Sequence, residues 1–234
     1  MGWGWDLRRN VPEFRAVQEA AAKSLLQKLV TSPEGYYDHV KHLSGAIILK
    51  LVYGYTLQTE NDPYMALAAK AMEGLRQVVN HGSFVVDYLP ILKLLPSWFP
   101  GADFKRKAKA WAPSAEEVKE IPWQWMKKAK LDGTGLPAFA SENLDKFPDD
   151  LKMEEVVKNC AAIAYLAGSD TTVAMILSFI LAMTLYPAVQ ERAQAELDEK
   201  VGSSRLPDFG DREKLPFIEA VLAETLRWHP VVPL

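Results

Sequence analysis

The sequence has little cysteine: Cys160 is the one cysteine among 234 residues. A single cysteine excludes an internal disulfide and a cysteine-rich zinc site, and it favours a reducing compartment. The chain also lacks a basic excess, since its 27 Lys and Arg residues are outnumbered by 30 Asp and Glu residues. A protein that holds a nucleic-acid backbone usually carries such an excess, so we expect no nucleic-acid partner.

Strand signals are weak, because no alternating run of polar and apolar residues has turn residues on both sides. Apolar residues instead recur at helical spacing, and Gly and Pro mark the ends of the segments. The fold class is therefore mainly α. Two prolines, Pro113 and Pro122, are expected to kink or break the helix that contains them. Helices are predicted at residues 14–29, 34–55, 63–80, 103–131, 151–186, 187–200 and 216–228.

The stretch Tyr88 to Gly101 differs from its surroundings, because it combines three prolines with several large apolar residues. Proline prevents a long helix, while the apolar content argues against a solvated linker. We interpret the stretch as a buried, kinked connection between two helices. The alternative is an access lid or a surface that touches a membrane.

The segment Cys160 to Tyr186 is long and apolar enough to cross a bilayer, and Asp170 is its one charged residue. A charge near the middle of such a segment costs about 2.5–3.5 kcal/mol on insertion scales. The segment also continues a polar helical start at residues 151–158 without a break. We therefore expect one helix, Leu151 to Tyr186, in a soluble core, with Asp170 and Thr171 facing its interior. The alternative is a membrane-spanning helix at about 160–186.

Small residues inside this helix form its most informative patch. Ala164, Ala167, Gly168 and Thr171 share one face by helical spacing, and Asp170 lies on the neighbouring face. Glycine within a helix costs about 1 kcal/mol relative to alanine, but it lets a flat group approach the backbone. A carboxylate beside a hydroxyl suits proton relay. The equally weighted alternative is a helix kink whose threonine bonds the carbonyl four residues back.

Three other features carry weaker signals. Glu224 and Arg227 are spaced to pair on a helix surface, either as a common solvated salt bridge or, because much of that helix is apolar, as a partly buried pair. His39 and His42 are one turn apart, but no third metal ligand is evident, so we expect a solvated helix face. Cys160 is expected to be a small buried hydrophobe.

Two of these motifs together resemble the cytochrome P450 family. The first is Ala-Gly-Ser-Asp-Thr-Thr at residues 167–172, and the second is Glu-Thr-Leu-Arg at residues 224–227, followed by Trp-His-Pro. Residues 186–198 and the Lys-Leu-Pro-Phe-Ile-Glu-Ala-Val-Leu-Ala segment before Glu224 are also similar to the family, and residues 94–101 resemble fungal-type members. The resemblance covers nearly the whole chain and implies a single, partial cytochrome P450 domain over residues 1–234.

The resemblance implies a haem-thiolate monooxygenase that oxidises a small apolar substrate with dioxygen. Ala167 and Gly168 would leave room beside haem b, Thr171 would hydrogen-bond dioxygen there, and Asp170 would feed the proton relay. Glu224 and Arg227 would form a structural network with a later arginine. The implied partner is NADPH–cytochrome P450 reductase, and the implied location is the cytosolic face of the endoplasmic reticulum membrane, or the cytoplasm if the chain is complete.

The family's Phe-x-x-Gly-x-Arg-x-Cys-x-Gly loop, which supplies the haem thiolate, does not occur in these residues. Cys160 does not match that motif, and Trp5 with Arg9 matches the family's Trp-x-x-x-Arg pair only formally. We therefore expect an internal piece of a longer enzyme, without its N-terminal anchor, that is inactive by itself. The alternative function class is a non-catalytic truncated helical protein or a membrane protein.

Overall fold

A computed structural model describes residues 7–58, 62–78 and 82–231, with side chains from residue 14 onward. Trp5 and the side chain of Arg9 lie outside this description. Within the described ranges the regular structure is helical and no strand occurs, which confirms the mainly α class. The α-helices are α1 (Leu7–Thr31), α2 (Tyr36–Tyr53), α3 (Pro63–Val78), α4 (Asp103–Leu131), α5 (Phe139–Asp145), α6 (Leu151–Leu185), α7 (Pro187–Lys200) and α8 (Pro216–Trp228).

Most predicted helix bounds agree with these elements to within two residues, but α1 begins at Leu7, before the predicted start at residue 14. Helices α4, α7 and α8 have the predicted first and last residues, and α6 ends one residue before the predicted end. Proline opens α7 and α8 because its fixed φ suits the first helical turn, where the amide hydrogen has no partner. The short helix α5 lies in a region for which no helix was predicted.

Helix α4 continues through both of its prolines, so the predicted break does not occur at Pro113 or Pro122, and the alternative of a kink stays a prediction. An interior proline costs a helix about 3 kcal/mol, because it removes one hydrogen bond and crowds the preceding turn. Packing offsets this cost at Pro122, which is itself buried and lies among the buried residues Val118, Trp123 and Met126. The tertiary core therefore maintains a helix that local propensity alone disfavours.

The chain divides into two compact units. The first consists of Met1–Ile47 and Gly168–Leu234, and the second of Ile48–Ala167, so that α2 and α6 each contribute residues to both. The assignment of residues 1–234 to a single domain stays a prediction.

The second unit has a mixed aliphatic and aromatic core. Trp123 is 1% exposed, and the rings of Tyr53 and Tyr165 meet edge to face at 6.1 Å between centroids. The hydroxyl of Tyr165 donates to the carbonyl of Tyr64. Burial raises the pKa of Tyr53 and Tyr165, so both phenols stay neutral. The core is completed by Leu49, Val52, Tyr55, Ala68, Val118, Met126, Ala140, Val157 and Ala161.

Asp62 organises the start of α3 inside this unit. One carboxylate oxygen accepts the amide of Tyr64 at 3.0 Å, which caps the helix as the Asp62-Pro63 sequence predicts. The other accepts the hydroxyl of Tyr55 at 2.9 Å and the amide of Gln58 at 3.2 Å. Burial and the hydrogen bond to Asp62 raise the pKa of Tyr55. This buried carboxylate is therefore satisfied by three donors.

In the first unit, Glu196 of α7 holds the beginning of α8. Its two carboxylate oxygens accept the amides of Phe217 and Ile218, each at 3.0 Å. These amides lack partners within their own helix, so a carboxylate at this position both satisfies them and complements the helix dipole. Arg192 lies over the Phe217 ring at 4.1 Å. Together these contacts join α7 to α8.

The loop before α8 is closed by a bidentate ion pair. Arg205 donates to the two oxygens of Asp211 at 2.6 and 2.7 Å, and the amide of Asp208 donates to the same carboxylate at 3.1 Å. The guanidinium of Arg205 and this amide hold the pKa of Asp211 well below its usual value. The carboxylate is therefore ionised at neutral pH and can bind Arg205.

The segment from Val85 to Phe99, which we call the apolar surface segment, is exposed rather than buried. It forms two short 3-10 turns at Val85–Asp87 and Pro90–Leu94. Leu94 is 82% exposed and Trp98 is 77% exposed. The predicted buried loop is therefore wrong. The turns satisfy their own backbone groups locally, so the segment does not need to bury its apolar side chains to hold its shape.

Among the helices that the structure describes, α6 is long and apolar enough to cross a membrane by length and composition. Only 22% of its most apolar window is buried. Core helices of soluble proteins pass the same test, so the soluble-core interpretation and the membrane alternative both remain predictions.

Candidate functional site on helix α6

The predicted catalytic and cofactor-binding residues lie on one uninterrupted helix. Residues 167–172 are helical throughout, and their side chains are small, so few side-chain atoms project from α6 at this point. Ala167 and Thr171 are exposed, whereas Gly168 and Asp170 are half-buried. The expectation that Thr171 faces an interior is therefore wrong for this chain.

Helix geometry explains why the small face is exposed. Successive residues are about 100° apart around the axis, so Ala167 and Thr171 share a face. Tyr165 lies about 200° from Ala167 and is fully buried. The bulky side chain thus occupies the core side of the helix there, and the small residues are left on the open side.

A serine of another helix contacts this turn, and the sequence analysis did not identify it. Ser44 of α2 is 1% exposed and donates its hydroxyl to the carbonyl of Gly168 at 2.6 Å. A Ser-Gly pair within the apolar part of α2 was the available signal, because a polar side chain on a buried helix face needs a partner. The partner itself, 124 positions away, could not be read from spacing.

Glu224 and Arg227 form the predicted pair, and of the two alternatives the solvated salt bridge is observed rather than the partly buried pair. Arg227 donates two hydrogen bonds to Glu224, at 2.7 and 2.6 Å, while Glu224 is 60% and Arg227 72% exposed. Arg227 lowers the pKa of Glu224 through these bonds. Val221 and Thr225 take the buried side of α8, which places the pair on its open side.

An open apolar cavity of about 550 Å³ lies beside this ion pair in the first unit. The rings of Tyr186 and Trp228 meet edge to face at 6.3 Å between centroids along it. Met183, Phe217 and Val221 also line the cavity, together with Glu224 and Arg227. Residues from the end of α6 and from α8 thus form an apolar cavity with one charged pair.

Cys160 is exposed, so its predicted burial is wrong. Val157 and Ala161 occupy the buried positions on that part of α6. Cys160 lies seven residues before Ala167, which is about two helical turns, and therefore on the same face. A thiol there points to the same side of α6 as the small-residue face.

The two histidines of α2 have different surroundings. His39 is buried, and its Nε2 lies 3.0 Å from the hydroxyl and 2.9 Å from the carbonyl of Ser32, so the expected solvated face is wrong for His39. His42 is half-buried. No cluster of three or more potential metal ligands occurs in the part of the chain that the structure describes.

Comparison with known proteins assigns this arrangement to a family. The family model described as Cytochrome P450 matches residues 9–234. A cytochrome P450 monooxygenase of Armillaria gallica is 44% identical over 226 residues, which cover 95% of this chain and 44% of that protein. The tryptamine 4-monooxygenase of Psilocybe cyanescens is 40% identical over 230 residues, which cover 97% of this chain and 45% of that protein.

A solved structure shows the same fold. A zebra fish cytochrome P450, determined with progesterone, superposes with a TM-score of 0.62 at 24% identity and covers 93% of this chain and 50% of that chain. The chain thus spans less than half the length of the two curated relatives named above. The family match over nearly all residues, with the motifs of α6 and α8 in the expected order, shows that this chain belongs to the cytochrome P450 family.

Proposed function

We propose that this chain forms the oxygen-side half of a haem-thiolate monooxygenase that oxidises a small apolar organic substrate. The observation that carries the proposal is the face of small residues on α6, where Ala167 and Thr171 are exposed beside the half-buried Asp170. A hydroxyl next to a carboxylate on a face without bulky side chains suits proton delivery to a flat cofactor. Family membership supports haem b as that cofactor.

The residues present fit one face of a haem. Ala167 and Gly168 carry almost no side-chain volume, so a planar macrocycle can approach the helix there, and Thr171 offers one hydroxyl at the same level. When bound, the haem supplies the iron that activates dioxygen. The chain's own residues then have two tasks: Thr171 holds and passes a proton at its Oγ, and Asp170 connects that hydroxyl to a proton source.

Glu224 and Arg227 have a structural role in this proposal. Their bidentate pair is already formed, and the remaining guanidinium and carboxylate surface is exposed. We propose that a further arginine of the longer protein completes the network. The reductase that delivers electrons, NADPH–cytochrome P450 reductase, and dioxygen itself are proposed partners on the same family grounds.

The haem thiolate does not come from Cys160 in this proposal. Thr171 and Cys160 lie on one face of one helix, so Cys160 shares the face that would deliver protons to dioxygen. The thiolate that would hold the haem would therefore be supplied by a different cysteine, in the family's Phe-x-x-Gly-x-Arg-x-Cys-x-Gly loop. We therefore propose that the ligand lies outside these 234 residues and that the chain alone does not oxidise substrates.

The carbon monoxide difference spectrum tests both statements. A longer protein that contains this chain and the missing ligand is expected to show the thiolate-type Soret band after haem loading and reduction, and the 234-residue chain is expected to lack it. Cys160→Ser should leave the longer protein's band unchanged. A strong band in the 234-residue chain that disappears in Cys160→Ser contradicts the ligand proposal, and no band in the longer protein contradicts the monooxygenase proposal.

The apolar surface segment supports a proposed location at a membrane surface, in the endoplasmic reticulum by family analogy. Ile91 is 71% and Trp98 77% exposed, and with Leu89 and Leu94 they form a continuous exposed apolar stretch of the kind that marks an interaction or membrane surface. Lys105 and Arg106 of α4 donate to the carbonyls of Leu95 and Ser97, which keeps the segment folded. A folded segment with apolar side chains outward suits insertion into the interfacial region of a bilayer.

The 234-residue chain should therefore bind vesicles of phosphatidylcholine and phosphatidylserine in a flotation assay. The double variant Ile91→Ser/Trp98→Ser should bind at least about tenfold more weakly, because burying each of these side chains stabilises by about 1.5–3 kcal/mol. Leu131→Ser is the matched control, since Leu131 is an exposed apolar residue at the far end of α4. Equal losses in the control and the double variant would contradict the proposal.

A further inference from the structure

The buried hydrogen bond from Ser44 to Gly168 connects α2 to the turn that carries the proposed proton-relay residues. The donor is Oγ of Ser44, the acceptor is a backbone carbonyl in the middle of α6, and the two atoms are 2.6 Å apart. Ser44 is almost completely shielded from water, and its neighbour Gly45 is buried too. Small residues on α2 thus let that helix approach the α6 backbone closely.

The direction of this bond is unusual for a hydroxyl within a helix. Ser and Thr in helices commonly donate to the carbonyl four residues back, and Ser178, Thr184 and Thr225 do so at 2.8 Å each. A hydroxyl has only one proton to donate, so the bond of Ser44 to Gly168 takes the place of such a local bond. The hydroxyl of Ser44 therefore bonds to the backbone of α6 rather than to that of its own helix, α2.

The carbonyl of Gly168, which accepts the hydrogen bond from Ser44, lies at the start of the helical turn that contains Asp170 and Thr171. By helical spacing the carbonyl of Gly168 also accepts the amide of the residue four positions later, so Ser44 supplies a second donor to the same oxygen. A side chain that enters the hydrogen-bond ladder in this way tilts the carbonyl and fixes the orientation of its peptide plane. The residues that follow this plane within the same turn are Ser169, Asp170 and Thr171.

We propose that Ser44 is a positioning residue for the oxygen side of the enzyme. Its hydroxyl fixes the Gly168 peptide, and the fixed peptide sets the direction of Asp170 and Thr171 toward the cofactor face. Loss of the hydroxyl frees the peptide to tilt, so that proton delivery becomes poorly aligned. This inference rests on the proposed function, because it assigns Ser44 a role through the two relay residues.

The test uses the longer, haem-loaded protein and the variant Ser44→Ala. We expect substrate affinity to stay within about twofold, and the share of electrons recovered as hydrogen peroxide to rise severalfold. Ser44→Thr, which keeps the hydroxyl, should restore the wild-type share. The matched control is Thr225→Ala, which also removes a buried helical hydroxyl but leaves Gly168 untouched. Its peroxide share should equal that of the wild type.

A second readout does not depend on turnover. Amide hydrogen exchange of the peptide that contains residues 168–172 should become about fivefold faster in Ser44→Ala, as loss of one buried hydrogen bond predicts, and should not change in Thr225→Ala. If the wild-type enzyme makes no oxidised product, the proposed function fails, while exchange still decides whether Ser44 fixes the turn. Unchanged exchange overturns the inference. Faster exchange with an unchanged peroxide share in an active enzyme also overturns it, because Ser44 is then structural only.

Discussion

Trp123→Ala is expected to remove a large fraction of the stability of the second unit. Trp123 is 1% exposed and belongs to the core that also contains Leu49, Val118 and Tyr165. Truncation of a buried tryptophan costs about 3–5 kcal/mol, from lost burial and from the cavity that remains. It also removes the indole donor that lies 3.3 Å from Oε1 of Glu154. A typical domain has only about 5–15 kcal/mol in total, so this loss is a large fraction.

Urea denaturation of the 234-residue chain, followed by far-UV circular dichroism, measures the effect. The matched control is Trp98→Ala, the same chemical change at a side chain that is 77% exposed. Its midpoint should stay close to that of the wild type when no membrane is present. Equal shifts of the midpoint in the two variants would contradict the placement of Trp123 in the core.

Asp170→Asn in the longer, haem-loaded protein is expected to lower product turnover by about 10²-fold, the lower end of what general acid–base groups contribute. Asparagine keeps the size of the side chain but cannot supply a proton. Substrate affinity should hardly change, because the loss concerns a proton-dependent step rather than binding. Thr171→Ala should keep haem and substrate binding and release more peroxide per electron consumed, since the relay then lacks its hydroxyl.

Stopped-flow binding, product formation and peroxide release separate these effects. Thr171→Ser keeps a hydroxyl and should stay coupled, while Thr184→Ala removes an exposed hydroxyl from the same helix and should behave as the wild type. Unchanged coupling in Thr171→Ala would remove its assigned role. A solvent isotope effect on turnover that is the same in Asp170→Asn and the wild type would remove that of Asp170.

Local signals were sufficient to place most of the helices. Neighbouring residues determine where several helices begin and end: proline opens α7 and α8, Asp62 caps α3, and α7 ends near Lys200. Helix ends depend on such short-range interactions. The motifs of α6 and α8 similarly lie within single helices. The mainly α class and the family resemblance could therefore be predicted from the sequence.

Burial could not be predicted in the same way along α6. This helix is apolar around most of its circumference, so no periodic pattern says which side faces the core. The packing of Tyr165 and Val157 decides it, and their buried positions leave Thr171 and Cys160 exposed. The exposure of the apolar surface segment has the same origin, because the chemical character of a side chain does not say whether another element covers it.

The sequence by itself determined where most of the helices of this protein lie, which motifs they carry and to which family they belong. Only the tertiary structure decided that α4 continues through its prolines, that the pair of Glu224 and Arg227 is open to solvent, and that Ser44 binds Gly168. The physical reason is distance along the chain. Helix signals act over a few residues, whereas burial and the hydrogen bond of Ser44 depend on partners that only folding brings together.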